Sequence, residues 1–264
     1  MSVPLWTEQF CIRTHEADMN GLARLDALFC CFQEAAGHHA QNLGVGRKEL
    51  HRQGCFWVLS RCRMQIDRYP TWGQDIVVRT WPRGVKRLFA LRDFQFLSVD
   101  GELLGTGVSA WLILDQDKHR PMRPDPFLQD IPPTNEAPVA GNVLDKQSNR
   151  LDLKELRRFA VRYSDLDVNR HVNNAAYVRW ILDSFDAKKH DRFHIASIRI
   201  DYLSETILGE SIAVLAQTED QEGGQSMLGV RPETAQQVFQ AEITWQGHLE
   251  KTTLNPHLKN MPTR

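Results

Sequence analysis

Between residues 163 and 180 the sequence reads YSDLDVNRHVNNAAYVRW, and Asp167, Asn169 and His171 fall there at alternate positions. A carboxylate, an amide and an imidazole together can hold a water, orient it and exchange a proton with it. In extended backbone, positions i, i+2 and i+4 project to one side, which would put this trio on one face and Val168, Arg170 and Val172 on the other. The run that follows, Tyr177, Val178, Ile181, Leu182 and Phe185, has helical spacing. Asn173 or Asn174 stands where an N-cap belongs. The trio is therefore expected beside a helix N-terminus, where amide N–H groups and the helix dipole favour developing negative charge.

Two other chemistries compete for the same residues. Turn and cap bonding uses the same side chains without catalysis. Cation binding is suggested by Asp165, Asp167 and Asn169, which imitate the opening of an EF-hand loop. The glycine that loop requires is Arg170 here, and its closing glutamate is Ala176, so that reading fails.

The elements that must position the trio come in two copies. Aligning Phe10 with Phe159 sets Arg13 on Arg162, Glu16 on Asp165, Asp18 on Asp167 and Asn20 on Asn169. The chemistry then diverges, because His171 faces Leu22 and Asn173 faces Arg24. A second match aligns SRCRMQIDRYPTWGQDIVV with ASIRIDYLSETILGESIAV when Gly73 is set on Gly209. Two matches in order point to an internal duplication in which only the second copy keeps the histidine. Six of the twelve prolines fall between Pro121 and Pro138, which marks a linker. The expected organisation is an N-terminal domain over 1–120, a linker over 121–152, a C-terminal domain over 153–250 and a tail over 251–264.

Each half reads as a short strand, a helix and several strands. The first helix is LDALFCCFQEAAGHHAQNLG, with Leu25, Leu28, Phe29, Phe32 and Ala36 as its apolar stripe. Strands are expected near 56–66, 75–81, 87–98 and 102–114. In the second half a helix is expected over 174–187, then strands near 194–203, 210–218, 226–231 and 236–246. One helix with a long antiparallel sheet, occurring twice, gives an α+β fold with each sheet curled round its helix.

Composition narrows the function classes. With 42% hydrophobic and 25% charged residues in 264, a buried core is expected. A net charge of −1 argues against a broad nucleic-acid surface or a polybasic membrane anchor. No apolar run reaches the length of a membrane span, and no signal peptide is visible. The cysteines, Cys11, Cys30, Cys31, Cys55 and Cys62, form no CxxC pair and read as reduced thiols of a cytoplasmic protein. Cys30 and Cys31 are expected in the core, His38 and His39 at the surface, and Gly44 and Gly46 as helix-ending or loop glycines. No metal or other cofactor is expected.

The stretch DLDVNRHVNNAAYVRW resembles the signature of the acyl-acyl carrier protein thioesterases, which are tandem double hotdog proteins. Asp167, Asn169, His171, Val172, Asn173, Asn174, Tyr177 and Trp180 match every fixed position of D-x-N-x-H-V-N-N-x-x-Y-x-x-W. The family's second landmark, Y-x-x-E-C, corresponds to YLSET, Tyr202 to Thr206, with Thr206 in place of cysteine. The resemblance implies hydrolysis of the thioester between a fatty acyl chain and the phosphopantetheine arm of acyl carrier protein. It implies Asp167, Asn169, His171 and Glu205 as the catalytic group, and Thr206 favours a mechanism without a cysteine nucleophile.

On that reading Glu205, expected to be buried just past an apolar strand, acts as general base or nucleophile. His171 exchanges protons with the water, Asn169 holds water or carbonyl, and Asp167 orients its neighbours. Asn173 and Asn174 are expected to contact substrate. The resemblance suggests that the first half shapes the acyl pocket, with Leu22, Phe29, Phe32, Trp57 and Val58 as lining. The acidic carrier protein would meet a basic surface, for which RGVKR (83–87), KELRR (154–158) and Arg170 are candidates. The tandem chain could act as a monomer or pair as a homodimer. Acyl-CoA hydrolysis and catalytically silent acyl binding are the alternatives to carrier-protein ester hydrolysis.

Overall fold

The computed structural model describes residues 2–139, 141, 143–145, 152–217 and 223–247. The expected tail, part of the expected linker and the last residues of the expected C-terminal domain lie outside these. In the first half the order is β1 (Trp6–Cys11), α1 (Leu25–Asn42), α2 (Arg47–Arg52), β2 (Cys55–Ile66), β3 (Asp75–Lys86), β4 (Phe89–Ser98) and β5 (Leu103–Asp115). Two short pieces that the sequence did not announce follow in the proline-rich stretch, β6 (Pro121–Met122) and α3 (Asp125–Leu128). The second half runs β7 (Lys154–Ala160), α4 (Asn174–Asp183), α5 (Ala187–Arg192), β8 (Phe193–Tyr202), β9 (Ser211–Ala216), β10 (Gly224–Val230) and β11 (Gln237–Gly247).

Both long helices are amphipathic for the expected reason. Leu25, Leu28, Phe29, Phe32 and Ala36 of α1 are buried, as are Tyr177, Val178 and Ile181 of α4. The single helix expected over 174–187 is broken. The Asp186 side chain accepts from Lys189 N–H at 2.8 Å and starts α5 afresh. The helices pack against each other and against the sheet around one core drawn from both halves.

Among the described residues the sheet has eleven strands, in the order β1-β3-β4-β5-β2-β8-β11-β10-β9-β7, with β6 beside β5. The two expected sheets are thus joined edge to edge, through an antiparallel β2–β8 ladder. The order reads the same from either end once each strand is replaced by its counterpart in the other half. At the centre of the ladder Arg63 lies opposite Arg199, which is also its partner in the repeat. A local twofold axis therefore passes through that pair, and the chain is a tandem double hotdog.

The proline-rich stretch is not a free tether where it is described. Val143 is buried against Val108 and Ala110 on the outer face of β5. Arginines of that face hold its backbone: Arg61 donates to Leu144 O at 3.0 Å, Arg83 to Val139 O at 2.7 Å, and Arg199 to Asp145 O. Arg83, expected to be available for a partner, is also bonded to Asp93 at 2.8 Å.

Candidate active site

The segment carrying Asp167, Asn169 and His171 is a tight turn and not the extended strand its spacing suggests. Asp167 N–H donates to His171 O at 2.8 Å, and Arg170 N–H donates to Asp167 O at 3.0 Å. Closing the turn takes Arg170 to φ +66°, in the left-handed region. The Asp167 carboxylate holds the turn together. Its Oδ1 accepts from Asn169 N at 2.7 Å and from His171 N at 3.4 Å, and its Oδ2 accepts from Asn169 Nδ2 at 3.2 Å. Asp18 does the same in the first copy, accepting from Asn20 N at 2.8 Å and Leu22 N at 2.9 Å, with Gly21 at φ +74° in place of Arg170. The aspartate is therefore needed to build the turn even where no histidine follows.

Just beyond the turn Asn173 caps α4, its Oδ1 accepting from Ala175 N at 2.8 Å and its carbonyl from Ala176 N at 2.8 Å. Asn174 N–H, at the first helical position, has no carbonyl to bond within the helix. Tyr202 O–H donates to Asn174 O at 3.1 Å and ties this helix start to the end of β8. Val172 N–H donates to Thr206 O at 2.9 Å, joining the turn to the loop after β8. That loop brings Glu205 Oε2 to 3.5 Å from His171 Nε2, at the outer limit of a direct hydrogen bond. Glu205 is not buried as expected. Its side chain is 47% exposed, because β8 ends at Tyr202 and the glutamate lies past the sheet edge. Thr206 is fully buried beside Tyr177, whose hydroxyl burial pushes up to about 12.

Asp167, Asn169, His171, Glu205 and Asn174 share the wall of one cavity of about 1600 Å³, which extends along α1 into the first half and also meets Trp57 and Val58. Of the other expected lining residues, Phe29 and Phe32 face away. Phe32 stacks on Phe94 and Phe96 at 4.0 and 4.4 Å between centroids, and both phenylalanines belong to the core. Leu22 bridges to Thr71 in the loop between β2 and β3, and Asn173 is spent on its cap. The cavity takes a neighbouring stripe of α1, Gln33, Gly37 and Ala40, one step round from the core stripe, with Ala36 on the border of both.

Two site residues had no signal in the motif. Gln33, from the first half, donates its Nε2–H to Asn173 Oδ1 at 3.3 Å and so braces the helix cap of the second. Arg231, at the end of β10, contacts Glu205 O, Ser204 Oγ at 3.1 Å, and Glu210 at 2.8 and 3.1 Å. That guanidinium holds the Glu210 carboxyl below its ordinary range, and Glu210 in turn accepts from Ile207 N at 2.9 Å. At the pseudo-equivalent place in the first half, Leu22 and Tyr69 stand for His171 and Glu205. Tyr69 O–H donates to Ile195 O at 2.8 Å and Asn20 Nδ2 to His190 O at 2.9 Å, so that copy is closed by structural bonds.

The profile of the acyl-ACP thioesterase N-terminal domain matches residues 4–130, and that of the C-terminal domain matches residues 148–247. The chain belongs to the acyl-ACP thioesterase family. A chloroplastic acyl-[acyl-carrier-protein] hydrolase of Cuphea viscosissima is 29% identical over 239 residues, covering 83% of this chain and 57% of that protein. The oleoyl-acyl carrier protein thioesterase 1 of Arabidopsis thaliana, also chloroplastic, is 27% identical over 240 residues, covering 83% and 65%. The chain thus spans less than two thirds of the length of these family members. The 12:0-ACP thioesterase of Umbellularia californica superposes with a TM-score of 0.81 at 23% identity, covering 94% of this chain and 99% of that one. An acyl-ACP thioesterase of Bacteroides thetaiotaomicron gives 0.80 at 24% identity, covering 92% and 98%, which shows the same fold across the family.

Proposed function

We propose that the protein hydrolyses the thioester joining a fatty acyl chain to the phosphopantetheine arm of acyl carrier protein, releasing the free fatty acid and ending chain elongation. The observation that carries this is the His171–Glu205 pair, 3.5 Å apart beside the start of α4, on the wall of a cavity large enough for an acyl chain. Family membership directs the choice of ester toward the carrier protein over CoA.

In this mechanism Glu205 takes a proton from a water that His171 and Asn169 orient. The oxygen bonds to the thioester carbon, and the carbonyl electron pair moves onto oxygen beside the Asn174 N–H and the positive end of α4. Collapse restores the carbonyl and breaks the C–S bond, and the proton returns to sulfur through His171. Asp167 keeps His171 and Asn169 in place. No step uses Thr206, and no cofactor is required. All four groups come from one chain, so the proposed unit works as a monomer whether or not it also pairs. The cysteines are free, with Cys11 and Cys30 exposed, which favours a reducing compartment such as the cytoplasm. Among the described residues no helix is long and apolar enough to cross a membrane.

Thiol release from acyl carrier protein esters of several chain lengths, followed with a thiol reagent, tests the activity, and the matching CoA esters test the choice of carrier. Glu205→Ala and His171→Ala are each expected to lower kcat by roughly 10²–10⁴. Near-full turnover by Glu205→Ala removes the base assignment, and binding of acyl carrier protein without thiol release makes the protein an acyl-binding module.

A further inference from the structure

Five of the eleven exposed large apolar side chains recorded among the described residues fall in the two segments that hold His171 and Glu205. They are Tyr163 (86% exposed), Val168 (78%), Leu203 (46%), Ile207 (50%) and Leu208 (56%). The duplication supplies an internal control. The counterparts of Tyr163, Leu203 and Ile207 are Thr14, Asp67 and Thr71, and that of Leu208 is Trp72, which is only partly exposed. Met19, opposite Val168, alone keeps an exposed apolar side chain. The fold therefore does not need these residues to be apolar, and the copy without the histidine has largely lost them. A cluster of this kind on a water-facing rim marks a contact surface.

A cation stands in the same rim. Arg170 is exposed, makes no ion pair among the described residues, and occupies the left-handed position that the first copy gives to Gly21. A non-glycine residue held there is disfavoured by its own backbone, which turns attention to what the side chain does. Of the other charged groups of these loops, Asp165 pairs with Arg179, Asp167 holds its turn, Glu205 faces His171 and Glu210 pairs with Arg231. That leaves the exposed Arg162 as a second cation without an ion pair among the described residues.

We propose that Val168, Ile207 and Leu208, with Arg170, form the docking face for the acyl carrier protein, receiving the end that bears the phosphopantetheine arm. This rests on the function proposed above. The arm must deliver its thioester between His171 and Glu205, so the carrier body has to settle on the rim around them. An acidic protein complements an unpaired guanidinium, and the apolar side chains flanking it supply the area that its body would cover. A second copy of this chain seated on the rim would cover the approach to the catalytic pair, which disfavours it as the occupant. Of the basic stretches that the sequence offered, Arg83 is spent on Asp93 and the linker, and Arg158 pairs with Glu155 on the outer strand β7.

The test compares one acyl chain presented on acyl carrier protein and on free pantetheine, using the full chain with Leu208→Glu and, separately, Arg170→Gly. Glycine fits the backbone at 170, as Gly21 shows, so that variant keeps the turn. The KM for the carrier-bound ester is expected to rise roughly tenfold or more with Leu208→Glu and several-fold with Arg170→Gly. On both substrates kcat, and on pantetheine kcat/KM, should stay within about twofold of wild type. Equal losses on both substrates, or an unchanged carrier KM, overturn the proposal. So does a dimer that Leu208→Glu dissolves while carrier KM stays the same. If wild type hydrolyses neither ester, the proposed function has failed. Calorimetric binding of a carrier protein bearing a non-hydrolysable acyl amide then judges the face alone, with loss of binding by Leu208→Glu supporting it and unaltered binding ending it.

Discussion

Glu205 is the proposed catalytic group outside the Asp167 turn, and its placement falls to Arg231. The guanidinium reaches Glu205 O, Ser204 Oγ and both oxygens of Glu210, so one planar fork fixes the loop between Ser204 and Glu210. Its charge is balanced by Glu210, which makes Arg231 a positioning residue and not an electrostatic partner of the reaction. Arg231→Ala should lower kcat roughly ten- to a hundredfold with KM nearly unchanged, because misplacement of a catalytic group by about 1 Å costs on that scale. In a Glu205→Gln background the same change should cost almost nothing, since the group it positions is already gone. An undiminished penalty in the double variant would show that Arg231 acts by another route. The motif made Asp167, Asn169, His171 and Glu205 legible in the sequence. Arg231 lies 26 residues beyond Glu205, just past a strand of ordinary composition, and only the return of β10 beside that loop gives it a role.

At the level of elements, periodicity locates α1, α4 and the long strands to within about five residues. It carries no sign of α2, α3, β6 or the break before α5, and it mistakes the turn and one helix face. Alternate polar residues look the same in a strand and in a turn where aspartate bonds the amides two and four residues on, and Gly21 in the first copy was the available clue. On α1 the sequence points to one apolar stripe for both core and substrate. In the structure those jobs fall to adjacent stripes, with Phe29 and Phe32 inward, Gln33 and Ala40 on the cavity, and Ala36 bordering both. The inward stripe sits low on the sheet because β5 has glycine beneath it. A Cβ built at Gly107 would lie 2.2 Å from Phe32 Cε2, closer than packing allows. Gly107→Ala should therefore push Phe32 off its stack with Phe94 and Phe96 and cost roughly 1–3 kcal/mol, measured by urea unfolding. No loss of stability would mean that α1 can lift freely, and the separation of the two stripes would lose its basis.

For the whole molecule, the repeat announced two copies but not how they join. The β2–β8 ladder sets one half's sheet beside the other, so that Gln33 of the first half reaches the helix cap of the second. The N-terminal segment is drawn in as well. His39, expected at the surface together with His38, is fully buried, since the N-terminal segment and β4 close over it. Its Nε2–H donates to Val3 O at 2.8 Å, and its Nδ1 accepts from Arg92 Nη1 at 2.8 Å. Acceptance at Nδ1 requires the neutral ring, whereas the bond to Val3 would survive protonation. Burial first, then the Arg92 charge, hold its pKa down to about 4 from the usual 6.5. The unfolded chain therefore binds this proton more readily than the folded one. The contribution to stability is complete above about pH 6.5 and is lost as the pH falls toward 4. Between pH 7 and pH 5 this group alone should remove about 2 kcal/mol of unfolding free energy. Carboxylates titrate in part of the same range, so the measurement is a difference. Urea unfolding of wild type and His39→Gln at both pH values should show the variant less stable at pH 7 and distinctly less sensitive to acid. Parallel losses in the two proteins would mean that His39 titrates alike folded and unfolded, and the closure of the N-terminal segment over α1 would then have to be loose in solution.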